Sequence, residues 1–302
     1  MAERDGKKIG LRTLVPAIPF LWLGMFFLLP FLIVFKISLS QYATAQPPYE
    51  PVWNWSDISG YFSALSFENF KMLVGDSLYI DAFVSSIRIA FISTLLLLLV
   101  GFPIANAMAR APKSWRPMLL ALIILPFWTS FLIRIYAWIA ILKPEGLLNQ
   151  MLMSIGLISE PLNIMGTEVA VFIGIVYAYL PFMVLPLYAT LEKMDESLIE
   201  AAQDLGCPPW RAFWTITVPL AKPGIIAGSL LCFIPAVGEF VIPDLLGGSE
   251  TLMIGKTLWS EFFSNRDWPL ASAVAIVLLC FLVIPIVLYQ NAETRRAEEG
   301  KP

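Results

Sequence analysis

Ser197-Leu198-Ile199-Glu200-Ala201-Ala202-Gln203-Asp204-Leu205-Gly206, followed after nine residues by Ile216-Thr217-Val218-Pro219-Leu220, interrupts an otherwise apolar chain. Ser197 with Glu200 three residues on has the pattern of a capping box at a helix start. Ala201 and Ala202 favour helix and expose little bulk, so another surface can approach closely. Gly206 suits the left-handed conformation that ends a helix, and Pro208 prevents its continuation. A second short helix is expected over about Trp210 to Thr217, with Pro219 and Pro223 leading out of it. Residues 195–222 are thus expected to form two short helices at a sharp angle. Glu200 taken alone fits an ordinary amphipathic loop equally well.

Outward from this segment the chain is made of apolar runs. Hydrophobic residues make up 58% of the 302 and charged residues only 14%, against about 45–50% and about 25% in soluble domains. A transmembrane helix needs about 20 mostly apolar residues. Runs over 13–39, 82–109, 117–142, 168–191, 223–246 and 269–291 meet that need, the fifth being interrupted by Glu239 and Asp244. The expectation is an all-α integral membrane protein, one transmembrane domain over 1–302 with six transmembrane helices. Lysine and arginine fix the orientation: Arg4, Lys7, Lys8, Arg12, Arg110, Lys113, Arg116, Lys193, Arg211, Lys222, Arg295, Arg296 and Lys301 share one side, against Lys71, Lys143, Lys256 and Arg266 on the other. Both termini and the 195–222 segment are therefore expected in the cytoplasm. Ala43-Thr44-Ala45 has the look of a signal cleavage site, but the preceding apolar run exceeds the roughly 7–15 residues of a signal core, so an uncleaved anchor is expected. On the outer side, Gln41 to Ile80 carries Trp53, Trp55, Tyr61 and Phe62, a composition suited to interfacial anchoring or docking. Pro103, Pro126, Pro181, Pro186, Pro235, Pro243 and Pro285 lie inside the runs, where each removes a backbone donor and kinks its helix.

Several chemistries are disfavoured. There is no histidine, which removes Ser-His-Asp triads and histidine zinc sites. Cys207, Cys232 and Cys280 lack metal-ligand spacing. Gly255-Lys256-Thr257 is no phosphate loop, because Glu250 stands where the first glycine belongs. A net charge of −3 gives no basis for binding nucleic acid.

Glu200-Ala201-Ala202, Gly206 and the Ile216-Thr217-Val218-Pro219 group resemble the cytoplasmic EAA loop of permease subunits in binding-protein-dependent ABC importers. The likeness extends along nearly the whole chain. Leu125 to Arg134, Gly174 to Phe182, Pro235 to Pro243 and Asn265-Arg266-Asp267-Trp268-Pro269 resemble polyamine permeases, nearest those of putrescine importers, with spermidine importers alike. The resemblance implies a type I ABC importer permease fold in the bacterial inner membrane. In it Glu200, Ala201, Ala202, Asp204, Gly206 and Pro219 form the coupling helix and its support against an ATPase. It also implies a homologous second permease subunit wrapped by the first span, two ATPase subunits, and an extracytoplasmic polyamine-binding protein. No cofactor would sit in this chain, ATP and magnesium being held by the ATPase.

The residues accommodate a small cation. Trp128 is about 17 Å above Pro117 at 1.5 Å per residue, near the middle of a roughly 30 Å core, and Tyr177 and Tyr179 lie at similar depth. Each is able to accept an alkylammonium by cation–π contact, and each equally suits plain packing. Lys36, Arg88, Arg134 and Glu239 fall in the outer parts of their spans, where charge is costly. Glu239 is available to meet a substrate amine or to pair with Arg88 or Arg134. Other cargo (phosphonate, opine or ferric ion) is the alternative within the importer class. A secondary transporter would need coupling-ion sites and usually internal repeats. A membrane-embedded enzyme would need a paired acid and base.

Overall fold

The computed structural model describes residues 11–53 and 58–299; Arg4, Lys7, Lys8, Trp55 and Lys301 lie outside the described residues. A chain in lipid must satisfy its backbone donors within each segment, and the apolar runs accordingly become helices: α1 (Ala17–Ser38), α2 (Ser77–Arg110), α3 (Arg116–Ile124), α4 (Phe131–Leu142), α5 (Glu168–Leu191), α6 (Ser197–Asp204), α7 (Lys222–Val237), α8 (Val241–Leu245) and α9 (Trp268–Glu299). Among the described residues α1, α2 and α5 are long and apolar enough to cross a bilayer unbroken.

Two expected spans are broken. Residues 117–142 do not form one helix: Arg116–Trp128 and Phe131–Ser154 meet at 89°. Pro126 tightens Leu125–Trp128 into a 3-10 turn, and Thr129 and Ser130 are then extended, with ψ of 152° and 136°. Likewise Pro209–Leu220 and Lys222–Val237 meet at 66°. The helix α7 stops at Gly238, short of the expected end at Leu246, and the chain restarts as α8. Counting each bent pair as one crossing gives up to five spans against the six expected, with Trp268–Ile284 a shorter apolar helix.

The described residues pack as two compact units, one over Ser77–Thr257 and the other made of those up to Asp76 together with those from Leu258 onward. In the first, α2, α5 and α7 pack together around Leu97, Phe102, Met183, Val184, Leu187 and Cys232. Glycines set how closely they approach. A methyl group built on Gly228 would lie 2.9 Å from Met183 Sδ and 3.1 Å from its carbonyl oxygen, and one on Gly224 would lie 2.9 Å from the Pro186 carbonyl. This pair, four residues apart, lets the backbones of α7 and α5 meet, as small residues do between membrane helices.

In the second unit the C-terminal part of α1, from Leu29 to Ser38, packs on α9. Gln41–Tyr42 pairs antiparallel with Tyr49–Glu50. Lys36 has its ammonium 4.2 Å from the Tyr49 ring and 5.4 Å from the Tyr61 ring, and donates to the Pro51 carbonyl at 2.6 Å. These contacts compensate a charge at the end of an apolar helix. Part of the expected aromatic surface is therefore internal: Tyr61 is buried and meets Trp53 edge-on at 4.9 Å, while Phe62 remains exposed.

Candidate functional site

The break between α7 and α8 builds the first candidate site. Its backbone opens a new helix at Val241, whose first amides have no intrahelical acceptor. Glu239 supplies one: its Oε1 accepts from the amides of Phe240 at 3.1 Å and Val241 at 3.0 Å, with Ile242 at 3.4 Å. Its Oε2 accepts from the Tyr179 hydroxyl at 2.5 Å. The carboxylate is only 8% exposed, a burial that is tolerable because four donors converge on it.

Neither arginine considered as its partner neutralises it. Arg88 is paired with Glu168 at the start of α5. Arg134 lays its guanidinium 5.1 Å from the Phe127 ring and 5.7 Å from the Phe131 ring. Its buried Nε has no hydrogen-bond partner among the described residues. The physical reason is local: an unwound backbone already offers amides to Glu239, so a distant cation is not required.

From Glu239 a continuous line of contacts leads to Arg134. Tyr179 lies 6.0 Å from Phe182, Phe182 meets Phe127 edge-on at 5.2 Å, and Phe127 carries the guanidinium. The line has an acid at one end, a fixed cation at the other, and aromatic faces between. Tyr177 is not part of it. Two positions apart on an α-helix means about 200° of rotation, and Tyr177 instead meets Trp138 at 5.4 Å. Trp128 ends the 3-10 turn at the break and is 83% exposed. Phe127, Phe182 and Trp138 were not singled out from the sequence, although Phe182 stands three residues from Tyr179, the spacing of one helix face.

The segment between α5 and α7 forms the second site. Here Glu200, Ala201, Asp204, Gly206 and Pro219 are exposed and Ala202 is half-buried. The expected capping box is absent. The Ser197 amide donates to Asp195 Oδ1 at 3.0 Å, where the Glu200 side chain was expected, and the Glu200 amide donates to the Glu196 carbonyl at 3.2 Å instead of to the Ser197 hydroxyl. Those bonds from Ser197 hold the Asp195 carboxyl below its usual range. Gly206 has φ of +82°, and the Cys207 amide closes the end of α6 on the Ala202 carbonyl at 2.9 Å. After Pro208 the chain turns into Pro209–Ala212, a π turn over Phe213–Thr217 and Val218–Leu220, which includes Pro219. Leu205 at its corner is 89% exposed, and Trp210 and Trp214 are also open. Acidic side chains, small residues and bare apolar groups thus share one projecting elbow, a composition suited to a protein partner. No cluster of metal-ligating side chains occurs among the described residues.

Residues 98–296 match the family model described as binding-protein-dependent transport system inner membrane component. The spermidine/putrescine transport system permease protein PotB of Haemophilus influenzae is 41% identical over 277 residues, spanning 91% of this chain and 92% of that protein. PotB of Escherichia coli is 40% identical over 271 residues, spanning 90% and 94%. Among solved structures, a chain of the bacterial alginate ABC transporter in complex with alginate pentasaccharide-bound periplasmic protein matches with a TM-score of 0.70 at 18% identity, over 98% of each chain, a likeness of fold alone. The chain therefore belongs to the inner-membrane component family of binding-protein-dependent transport systems, as a multi-pass ABC-importer permease subunit closely related to PotB-type permeases, and it is a transport subunit rather than an enzyme.

Proposed function

We propose that this chain moves a small polyamine, putrescine or spermidine, into the cytoplasm as one half of a permease pair. The observation that carries the reading is the 41% identity, over nine-tenths of both chains, to a relative named for spermidine and putrescine. The buried carboxylate of Glu239, beside Tyr179 and the aromatic line, is chemically suited to a passing ammonium. In this reading Trp128 and Tyr177 flank the pathway at other points. The elbow, with Glu200, Ala201, Ala202, Asp204, Gly206 and Pro219, seats in an ATPase subunit. The exposed apolar length of α1, including Phe20, Trp22 and Phe27, covers the second permease. An extracytoplasmic binding protein delivers the cargo. Both termini are cytoplasmic, and the apolar part of α9 makes the sixth crossing.

The test is uptake by the assembled importer, with two ATPase copies, the second permease and the binding protein, reconstituted in proteoliposomes. ATP-dependent accumulation of radiolabelled putrescine or spermidine, competed by diamines and not by molybdate or phosphonate, is expected. Accumulation that proceeds without the ATPase would place the chain among secondary transporters, and competition by anions alone would remove the polyamine reading.

A further inference from the structure

The last carbonyls of α1 find their partners in a short helix further along the chain. A helix end leaves such groups without an intrahelical donor. Asn69, in the helix Glu68–Gly75, donates to the Ser38 carbonyl at 2.8 Å and to the Ser40 carbonyl at 2.7 Å. Just before that helix the Ser66 amide donates to the Leu39 carbonyl at 2.8 Å. Ser38 and Ser40 are buried there, and the short helix also packs on α9. As a span of 22 residues, α1 is about 33 Å long at 1.5 Å per residue, which uses up a roughly 30 Å hydrocarbon core. Ser38 therefore lies at the boundary of the bilayer, and the short helix is pinned at that level.

At about 100° per residue its side chains divide into three sectors about 120° apart. Asn69 and Leu73 face the protein, one bonded to the end of α1 and the other buried. Phe67, Phe70, Lys71 and Val74 make the second sector, with the two phenylalanine rings 6.0 Å apart and Phe67 and Val74 largely exposed. Phe67 precedes the helix but shares this face, because its carbonyl accepts from the Lys71 amide at 3.1 Å. Exposed Glu68 marks the third sector. The second sector, with Gly75, lines a single open groove of about 450 Å³. A helix lying along a membrane surface needs an apolar side toward acyl chains and a polar side toward water; here the remaining side is fixed to the protein. Lys71, without an ion-pair partner among the described residues, can lay its stem along the apolar side and keep its ammonium among headgroups.

We propose that Glu68–Gly75 is an in-plane membrane anchor whose Phe67, Phe70 and Val74 side seats in phospholipid, with an acyl chain in the groove and the phosphate met by Lys71. The lipid is identified by the apolar sector and by its level in the bilayer, and Lys71 adds the headgroup contact. In the orientation proposed above, the leaflet is the extracytoplasmic one. The anchor would hold the C-terminal end of α1 at a fixed depth.

Spin labels on Phe67→Cys, Val74→Cys and Glu68→Cys test this, one at a time in the full chain with Cys207, Cys232 and Cys280 replaced by serine. Power saturation in nanodiscs reads their depth, for the chain alone and in the assembled importer. The labels at 67 and 74 are expected about 5–10 Å inside the phosphate plane, and the label at 68 on its aqueous side. In the native chain, trace phosphatidylglycerol with a photoreactive group high on its acyl chain is expected to label residues 67–75, a readout that needs no cysteine replacement. Lys71→Gln is expected to lower that labelling by about five-fold, the contribution of one basic residue at an anionic membrane surface. Labels at 67 and 74 that read as aqueous would overturn the proposal, as would the absence of lipid labelling over 67–75. Unchanged labelling in Lys71→Gln would overturn the headgroup contact. Loss of oxygen access at 67 and 74 when the second permease or the binding protein joins would assign the face to that protein instead.

Discussion

Glu239→Gln removes a buried charge while leaving a hydrogen-bonding atom in each of the two oxygen positions. The amide oxygen can replace Oε1, which accepts at 3.1 Å and 3.0 Å from Phe240 and Val241. The amide nitrogen then takes the place of Oε2 and donates to the Tyr179 hydroxyl, which rotates its own proton away. A hydrogen bond to a charged acceptor contributes about 1.5–3 kcal/mol and a neutral one about 0.5–1.5, so each short contact weakens by about 1 kcal/mol. Relief of the buried charge works in the opposite direction, and the folded permease is expected to survive. Transport is affected differently. An ammonium 4 Å from the carboxylate would gain about 4 kcal/mol at an effective dielectric near 20, and none of that with glutamine. ATP-driven putrescine uptake is therefore expected to fall by at least about ten-fold, well inside that limit, with assembly of the importer retained. Glu239→Ala serves as the contrast, because it strands short-range donors at about 1–3 kcal/mol each and is expected to impair assembly itself. Uptake by the glutamine variant that matches the native protein would refute the reasoning and leave Glu239 as a structural cap for α8.

Other substitutions probe the scaffold and the elbow. Gly228→Leu places side-chain atoms where even a methyl group would meet Met183 Sδ at 2.9 Å; overpacking of about 1–3 kcal/mol or more is expected to lower the thermal midpoint of the purified chain, with Gly24→Ala, which meets nothing within 4 Å in that chain, as the silent control. Gly206→Val forces a β-branched residue to φ of +82°, at about 1–2 kcal/mol, and is expected to reduce capture of the ATPase in a pull-down. The Asp195 carboxyl is held low by Ser197, so its contribution to the elbow is complete above the unfolded value of about 3.9 and lost only as pH falls through the lower folded value. Hydrogen exchange of α6 amides, corrected for intrinsic rates, should show that acid-side loss in the native chain and not in Asp195→Asn.

Local features were legible in the sequence. Gly206 followed by Cys207-Pro208 could end a helix in few ways, and it ends α6 with a positive φ. The apolar runs became helices because lipid leaves the backbone little choice. What escaped was decided across distance or by competition between neighbours. The pairing of Arg88 with Glu168 joins residues 80 apart. Asp195 took the Ser197 amide that Glu200 would have reached back to in a capping box, because its carboxylate lies only two residues away. Hydropathy counted 117–142 as one span, since Pro126 reports a kink but not its 89° size. Gly224 and Gly228 did carry a readable signal, their spacing of four, and it was not among the features singled out.

The 66° bend before Lys222 has a mechanical corollary. Beyond it α7 runs for 16 residues, about 24 Å at 1.5 Å per residue, before the chain loosens at Gly238. Treated as a rigid lever pivoting at its Lys222 end, a tilt of only about 10° would sweep the far tip through about 4 Å over that length. That stroke exceeds the 2.5 Å that joins Tyr179 to Glu239, so a modest rotation below would be enough to part them.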